Sequence, residues 1–321
     1  MKPPYELTYP ILGLLTTISE QLGEVKARHL NRPSPELRKK NRVQTLRASL
    51  GIEGNRLNEE QITAIMDQKR VVGPQKYILE VLNAFRLYDR IKDFNPNSVK
   101  DFLAAHAVLM EGLVERPGSF RRQAVGIFKG NQVAHLAPPA DRLDTILQDL
   151  FSYIEKGEDP VLIKSCVVHY EIEFIHPFMD GNGRMGRFWQ TLLLLQEYPV
   201  FEYLPFETII KQRQDAYYDV LETCYRTGSS TEFIVFMLEA IREALDQLLD
   251  SQNNQMAKED RVAYYISMQA KSTFTRKDYR KVFRSLSTAT ASRDLKRAVD
   301  QGLLVRKGDK RTSEYSILKS E

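Results

Sequence analysis

The sequence predicts a mainly α protein with one small β element and a distinct, basic C-terminal part. Three observations predict it. Eight segments repeat apolar residues at spacings of three and four, one stretch alternates on either side of a Gly-Asn pair, and positive charge gathers near the end of the 321-residue chain. In order, the helical patterns are YPILGLLTTISEQLGEVKARHL from Tyr9, EEQITAIMDQKRV from Glu59, QKYILEVLNAFRLYDRI from Gln75 and VKDFLAAHAVLMEGLV from Val99. ADRLDTILQDLFSYIEKG follows from Ala140, PVLIKSCVVHYEIEFI from Pro160, GRFWQTLLLLQEY from Gly186 and DAYYDVLETCYRTG from Asp215. Pro, Gly or Asn stand at the breaks between them. AVGIFKGNQVAHLAPP, from Ala124, reads instead as a β-hairpin turning at Gly130-Asn131 and closed by Pro138-Pro139.

Composition removes several classes of function. No apolar run is long enough to span a bilayer, and MKPPYELTYP lacks the layout of a secretory signal, so a cytoplasmic protein is expected. The two cysteines, Cys166 and Cys224, lie in helical patterns without metal-ligand spacing and are expected as buried free thiols. The net charge of +4 conceals an asymmetry: from Met256 onward there are sixteen Lys and Arg against eight Asp and Glu, which leaves thirty against thirty-four in the body. Such a tail suits a polyanion, and it equally suits a solvated basic face. The polar stretch DSQNNQMAKED, residues 250–260, is expected as a linker.

The chemistry gathers in HPFMDGNGRMGR, from His176 to Arg187. Pro177 disfavours a helical His176, and Gly181 and Gly183 permit a tight turn before a helix resumes. Peptide N–H groups at such a helix start carry partial positive charge and form an anion site from backbone alone. Arg184 and Arg187, three apart, can fork onto phosphate oxygens. Asp180 is an oxygen ligand suited to Mg²⁺, and His176 has the ionisation range of a general base at neutral pH. Together these types describe phosphoryl or nucleotidyl transfer. Taken singly, each is more commonly a turn, a structural histidine or a surface pair.

The stretch matches the signature H-x-F-x-[D/E]-G-N-G-R-x-x-R of the Fic (Fic/Doc) family at every defined position. PGSFR followed by VGIFKGNQVAHLAPP resembles the family's flap, and VVHYEIEFIHPF resembles the helix leading into its active loop. The resemblance covers roughly Asn95 to Leu249. It implies a Fic-type helical bundle with a β-hairpin flap, and a catalytic core over 95–249 behind an N-terminal helical region over 1–94. The activity it implies is transfer of AMP from ATP to a hydroxyl of a target protein, with Mg²⁺. On the matching positions His176 would be the base and Asp180 the Mg²⁺ ligand. Gly181, Asn182 and Gly183 would form the phosphate nest, Arg184 and Arg187 would hold the polyphosphate, and Phe178 would anchor the loop. The flap would align the target by strand addition. SLGIEGN, from Ser49 to Asn55, resembles the family's inhibitory motif, so Ser49, Glu53 and Gly54 are expected to form an inhibitory helix end, with Glu53 paired to Arg187. Gly54 is equally a plain helix cap.

After the linker, EDRVAYYISMQAK, FTRKDYRKVF, TATASRDLKRAVDQGLL and VRKGDKRTSEYSI are read as three helices and a Gly-tipped hairpin, and they resemble a winged helix-turn-helix domain over 261–321. Thr288 to Gln301 would be its recognition helix, with Ser287 as N-cap, and Arg306 to Tyr315 its wing. Arg293, Lys296 and Arg297 would face a nucleic acid, and Lys307, Lys310 and Arg311 its backbone. Partners on this reading are a target protein, the chain itself included, DNA, and a second copy in a homodimer; no membrane is called for. Rival readings are a transcriptional regulator whose body is only a sensor, a relative that removes AMP, and one that transfers phosphate. Tyr217 and Tyr218 are read as core in preference to lining an adenine pocket.

Overall fold

Apolar positions three and four apart do form helices over most of the chain. The computed structural model describes residues 2–27, 35–129, 132–255, 258–268, 273–283, 286–308 and 313–317. They form two compact units, Met1–Leu245 and Asp246–Glu321. The first contains α1 (Tyr9–Ala27), α2 (Pro35–Ile52), α3 (Glu59–Met66), α4 (Gln75–Asp89) and α5 (Val99–Leu109). The hairpin β1 (Gly126–Lys129) and β2 (Gln132–Leu136) follows, then α6 (Leu143–Lys156), α7 (Val161–Ile175), α8 (Asn182–Glu197), α9 (Glu207–Gln212), α10 (Gln214–Thr227) and the start of α11 (Thr231–Gln255). Among the described residues no helix is long and apolar enough to cross a membrane.

The helices α7 and α8 form the centre of this unit. Every residue from Asn182 to Leu194 is buried, the polar Asn182, Arg184, Arg187, Gln190 and Thr191 included, so this helix has no solvent-facing stripe there. The two helices approach closely at Gly186, where an added Cβ would lie 2.5 Å from Cδ2 of His169. Phe102, Phe151 and Phe188 pack around Trp189, whose indole N–H donates to the Pro96 carbonyl at 3.2 Å, and Phe178 packs on Phe102. Cys166 and Cys224 are free and buried, and burial pushes their thiols up to about 12 and about 11. Neither is a nucleophile at neutral pH.

Helix α2 has no clear apolar stripe, because PELRKKNRVQTLRASLGI begins with charged residues, and its pattern was not among those read from the sequence. Tertiary contacts make it a helix: it packs on α9, α3, α4 and α8, and it buries Leu46 and every residue from Ala48 to Ile52. Its end is a Schellman turn. Gly54 has φ +89°, its N–H donates to the Gly51 carbonyl at 3.1 Å, and the Asn55 N–H donates to the Leu50 carbonyl at 3.0 Å.

The hairpin is antiparallel, pairing Gly126 with Leu136 and Lys129 with Gln132, with an irregularity between Ile127 and Phe128. Its Gly130-Asn131 turn lies outside the described residues.

The second unit holds α12 (Lys258–Met268), β3 (Thr273–Thr275), α13 (Arg276–Val282), α14 (Thr288–Asp300), β4 (Leu304–Lys307) and β5 (Glu314–Ile317). Residues 250–255, within the stretch expected as a linker, are the end of α11, and α12 begins at Lys258. FTRKDYRKVF, read as a helix, opens instead as the end of β3. The reason is Thr275, whose hydroxyl caps α13 in a capping box with Asp278, so the chain before it is extended. The sheet order is β3-β5-β4, all antiparallel. Tyr265, Phe274, Tyr279, Phe283, Leu295 and Tyr315 form its core, beside a buried bidentate pair of Arg261 and Asp294 at 2.9 and 3.1 Å. Ser287 caps α14 by accepting from the Thr290 N–H at 3.1 Å. Lys310 and Arg311 lie outside the described residues.

Because Gly186 leaves no room for a side chain against His169, Gly186→Val is expected to destabilise the first unit by about 1–3 kcal/mol, the usual cost of overpacking. A lowered urea midpoint with unchanged slope is the measurement.

Candidate active site

A strained residue stands at the end of α7. His176 has φ 50° and ψ 57°, a left-handed conformation that a side chain rarely adopts. Arg121 holds it there. Its Nε donates to the His176 carbonyl at 2.7 Å, while its other nitrogens donate to the carbonyls of Ile175, Gln123 and Pro138, and its own backbone N–H donates to Pro177. Nδ1 of His176 lies 3.3 Å from the Glu173 carbonyl, an acceptor, so that nitrogen carries the hydrogen and Nε2 keeps its lone pair. Burial moves the imidazole below its ordinary range, opposed by the Glu173 carbonyl and reinforced by Arg121. The ring is therefore neutral near pH 7.

The loop after it is pinned by residues that turn chemistry alone does not reveal. Phe178, fully buried, stacks on His106 with ring centres 3.6 Å apart. His106 accepts from the Gly118 N–H at 2.9 Å, which leaves Nε2–H to donate to the Asp180 carbonyl at 3.0 Å. Burial lowers His106 to about 4, so it stays neutral in this role. Asn182 bonds both the N–H and the carbonyl of Phe178 at 2.9 Å, and its side chain thus ties the loop instead of facing a ligand.

Gly181, at φ 87°, opens α8, and a Cβ there would meet Sδ of Met110 at 2.8 Å. Gly183 needs its hydrogen for a different reason, since a Cβ would fall 2.7 Å from Oε1 of Glu53 and 2.9 Å from Oε1 of Glu173. The first intrahelical bond runs from Met185 N–H to the Gly181 carbonyl. The N–H groups of Asn182, Gly183 and Arg184 therefore have no acceptor within the helix. Oδ1 of Asp180 accepts from the Gly181 N–H at 2.6 Å and from Arg184 at 3.0 Å.

Glu53 meets Arg187 at 2.6 Å. Arg187 is fully buried and also donates to the hydroxyl and carbonyl oxygens of Ser49, each at 3.1 Å. Burial by itself would weaken its hold on its proton, but facing Glu53 outweighs that, with help from Tyr217 and Glu173. The carbonyls that end α2 are held from α9 and α10: Lys211 donates to Gly51 at 2.6 Å, and Gln214 and Tyr218 donate to Ile52 at 3.0 and 3.2 Å. Asn55, just past the turn, donates to the Tyr77 carbonyl and to Glu80.

These pieces border one cavity of about 570 Å³, lined by Glu53, Glu173, His176, Asp180, Gly181, Asn182 and Gly183 on one side and by acids and tyrosines of α10 on the other. Among the residues expected from the sequence, Arg184 and Arg187 do not border it. Both lie behind it, on carboxylates, with Nε and NH1 of Arg184 and NH1 of Arg187 buried and without a hydrogen-bond partner, although NH1 of Arg184 is 3.7 Å from Glu80. The two tyrosines divide: Tyr217 is core, while Tyr218, 40% exposed, lines the cavity. His106, Arg121, Glu173 and Lys211 carried no signal in the motif, because they act through contacts distant in sequence.

A family profile described as Fic/DOC matches residues 96–194. The crystal structure of a Fic family protein from Desulfovibrio desulfuricans G20 is 39% identical, with a TM-score of 0.75 over 100% of this chain and 99% of that one. The chain belongs to the Fic family. This Fic chain is also 30% identical over 222 residues to a protein adenylyltransferase Fic from Culex quinquefasciatus, a match covering 64% of the chain and 41% of that protein. A Fic-1 fragment from C. elegans, 16% identical with a TM-score of 0.65 over 76% and 73% of the two chains, shares the fold.

His106 and His169 are both neutral in the fold, with burial lowering them to about 4 and about 3. The unfolded chain takes up those protons below about pH 6.5. Their contribution to stability is thus complete above that pH and lost as pH falls through the folded values. The urea midpoint is expected to fall between pH 6.5 and 4, and His169→Gln to flatten part of that fall.

Proposed function

We propose that this Fic chain is a protein adenylyltransferase that moves AMP from ATP to a Ser, Thr or Tyr hydroxyl, held in check by Glu53. The observation that carries the reading is that one cavity joins a neutral His176 with a free Nε2, the open N–H groups that start α8, and an acid locked onto the arginine behind them. Nε2 takes the proton of the target hydroxyl, the oxygen attacks the α-phosphorus of ATP, and pyrophosphate leaves. The N–H groups of Asn182, Gly183 and Arg184 bear the charge of the phosphates, and the nitrogens of Arg184 and Arg187 that lack a hydrogen bond are the donors a polyphosphate would satisfy.

Asp180 is half-exposed, with both of its hydrogen bonds on Oδ1, and is suited to hold Mg²⁺ together with phosphate oxygens. Mg²⁺ there would neutralise charge on the departing pyrophosphate. Among the described residues no three acidic, His or Cys side chains could hold a metal without such oxygens. The flap strands Gly126–Lys129 and Gln132–Leu136 offer the target an edge to pair with.

Glu53 occupies Arg187 and so denies it to the terminal phosphate. On this reading residues 1–94 are the regulatory region, 95–249 the catalytic core, and 261–321 a winged helix-turn-helix domain attached by 250–260. A second reading, DNA contact through that domain, is favoured by one observation: Arg293, Lys296 and Arg297 are exposed along α14 while Ala291, Asp294, Leu295 and Ala298 face the core. The chain spans about two fifths of the length of the adenylyltransferases it matches, 41% for the Culex protein.

With ATP labelled at the α-phosphate, Glu53→Gly is expected to raise incorporation into protein by at least about tenfold, equivalent to roughly 1.4 kcal/mol. His176→Ala is expected to lower it by about a hundredfold or more. Label that enters protein from the γ-phosphate instead would replace AMP transfer with phosphate transfer. For the second unit, Arg293→Ala and Lys296→Ala are each expected to weaken DNA binding and to reduce its salt slope by about one. An unchanged slope in gel-shift titrations removes the DNA reading.

A further inference from the structure

Glu173 has no assigned part in the transfer, yet it stands where the regulation is decided. It is nearly buried on α7, it borders the nucleotide cavity, and its Oε1 and that of Glu53 both fall within 3 Å of the point where a Cβ on Gly183 would sit, at 2.9 and 2.7 Å. Two acids therefore converge on one glycine, with NH1 of Arg187 3.2 Å from the same point and without a partner.

Behind Glu173 runs a row of buried groups. The Tyr217 hydroxyl is 3.0 Å from Oε1, His169 Nε2 is 3.1 Å from that hydroxyl, His169 Nδ1 is 2.7 Å from Oε1 of Gln190, and Nε2 of Gln190 is 3.4 Å from Sγ of Cys166. Cys166 in turn donates to the Leu162 carbonyl at 3.1 Å. The direction of donation along this row depends on Glu173. With an ionised Glu173, Tyr217 must donate to it and His169 donates from Nε2, so its bare Nδ1 faces the Gln190 oxygen, acceptor against acceptor, until the Gln190 amide turns over. With a protonated Glu173 every member donates once, from Glu173 to Tyr217, to Nε2 of His169, from Nδ1–H to Gln190, to Cys166, to Leu162. The second arrangement satisfies all of them.

We propose that Glu173 is a positioning residue of the inhibitory contact: protonated, it donates to Tyr217 and leaves Glu53 free to hold Arg187, and on losing that proton to cavity water it repels Glu53 and loosens the contact. The proposal rests on the reading of Glu53 as the inhibitory acid. Only an O–H bond breaks, and the proton passes to solvent. The groups facing Glu173 are Glu53 from the end of α2, Arg187 from α8, the neutral phenols of Tyr217, Tyr218 and Tyr225 from α10, and His169 and His176 on its own helix. Burial, then Glu53, raises Glu173 to about 7, against the opposing pull of Arg187. Inhibition is thus strong below neutrality and relaxes above it. Glu207, also raised to about 7 by burial, faces Arg187 and not Glu173.

The test is the affinity of a non-hydrolysable ATP analogue relative to that of ADP from pH 6 to 8.5, each value referred to Glu53→Gly at the same pH so that titration of the nucleotide cancels. In the unmodified chain the referred ratio is expected to rise several-fold with pH, by about tenfold for each unit by which the charge of Glu53 delays ionisation of Glu173. Glu173→Gln, which keeps a donor toward Tyr217, is expected to stay low and flat, and Glu207→Gln to keep the rise. A flat ratio in the unmodified chain overturns the proposal even if Glu173→Gln does not fold. So does a Glu173→Gln variant that rises in parallel, or a Glu207→Gln variant that does not rise. Because the readout is binding, a failure of AMP transfer in Glu53→Gly would strike the proposed activity and leave this result separate.

Discussion

A guanidinium with no exposed surface needs a compensating charge, and Arg187 is such a group. Much of the first unit is arranged around that constraint. Ser49 and Glu53 meet it from α2, which explains why a helix so rich in charged residues nonetheless buries its last turn. On the proposed reading, the same requirement makes the site selective for a ligand ending in phosphate, because only a comparable anion can take the place of Glu53. Inhibition and substrate recognition are then two answers to one electrostatic demand.

Rigidity of the loop between α7 and α8 comes from contacts that satisfy one another. Arg121 caps the carbonyls around a strained His176, His106 supports Phe178 and the Asp180 carbonyl, and Asn182 closes Phe178 onto the start of α8. Backbone strain at the histidine persists because its neighbours determine it from several sides. The consequence is a fixed tautomer: the geometry that holds the ring also settles which nitrogen carries hydrogen. A loop held only by its glycines would leave both nitrogens free to rotate into use.

Residues whose roles depend on their own segment were legible in the sequence. The periodicity of α7 and α8, the hairpin between Ala124 and Pro139, and the turn before Asn182 all follow from local spacing, and the motif from His176 to Arg187 does assemble beside one cavity. Three kinds of information were not local. Helix α2 lacks an apolar stripe, so its existence depends on what it packs against. The Thr275 cap begins helix α13 locally, but that the extended chain before it is a strand depends on β5, some forty residues on, through pairing such as that of Phe274 with Tyr315. Asn182 was read only through its backbone, whereas its side chain turns back to Phe178, and Arg184 lies between Asp180 and Glu80, neither of which spacing reveals. Spacing places a side chain on a face of a helix; what that face meets is decided by the rest of the chain.

The end of α2 is tethered on several sides, by Lys211 to Gly51, by Gln214 and Tyr218 to Ile52, and by Asn55 to Tyr77 and Glu80. Backbone so tethered leaves the Glu53 side-chain torsions as a cheap degree of freedom at that corner. On the proposed reading, locked and unlocked forms would differ by a side-chain rotamer and share one backbone outline. A factor that told the two apart would then have to reach the interior hollow, since the difference lies in one side chain there.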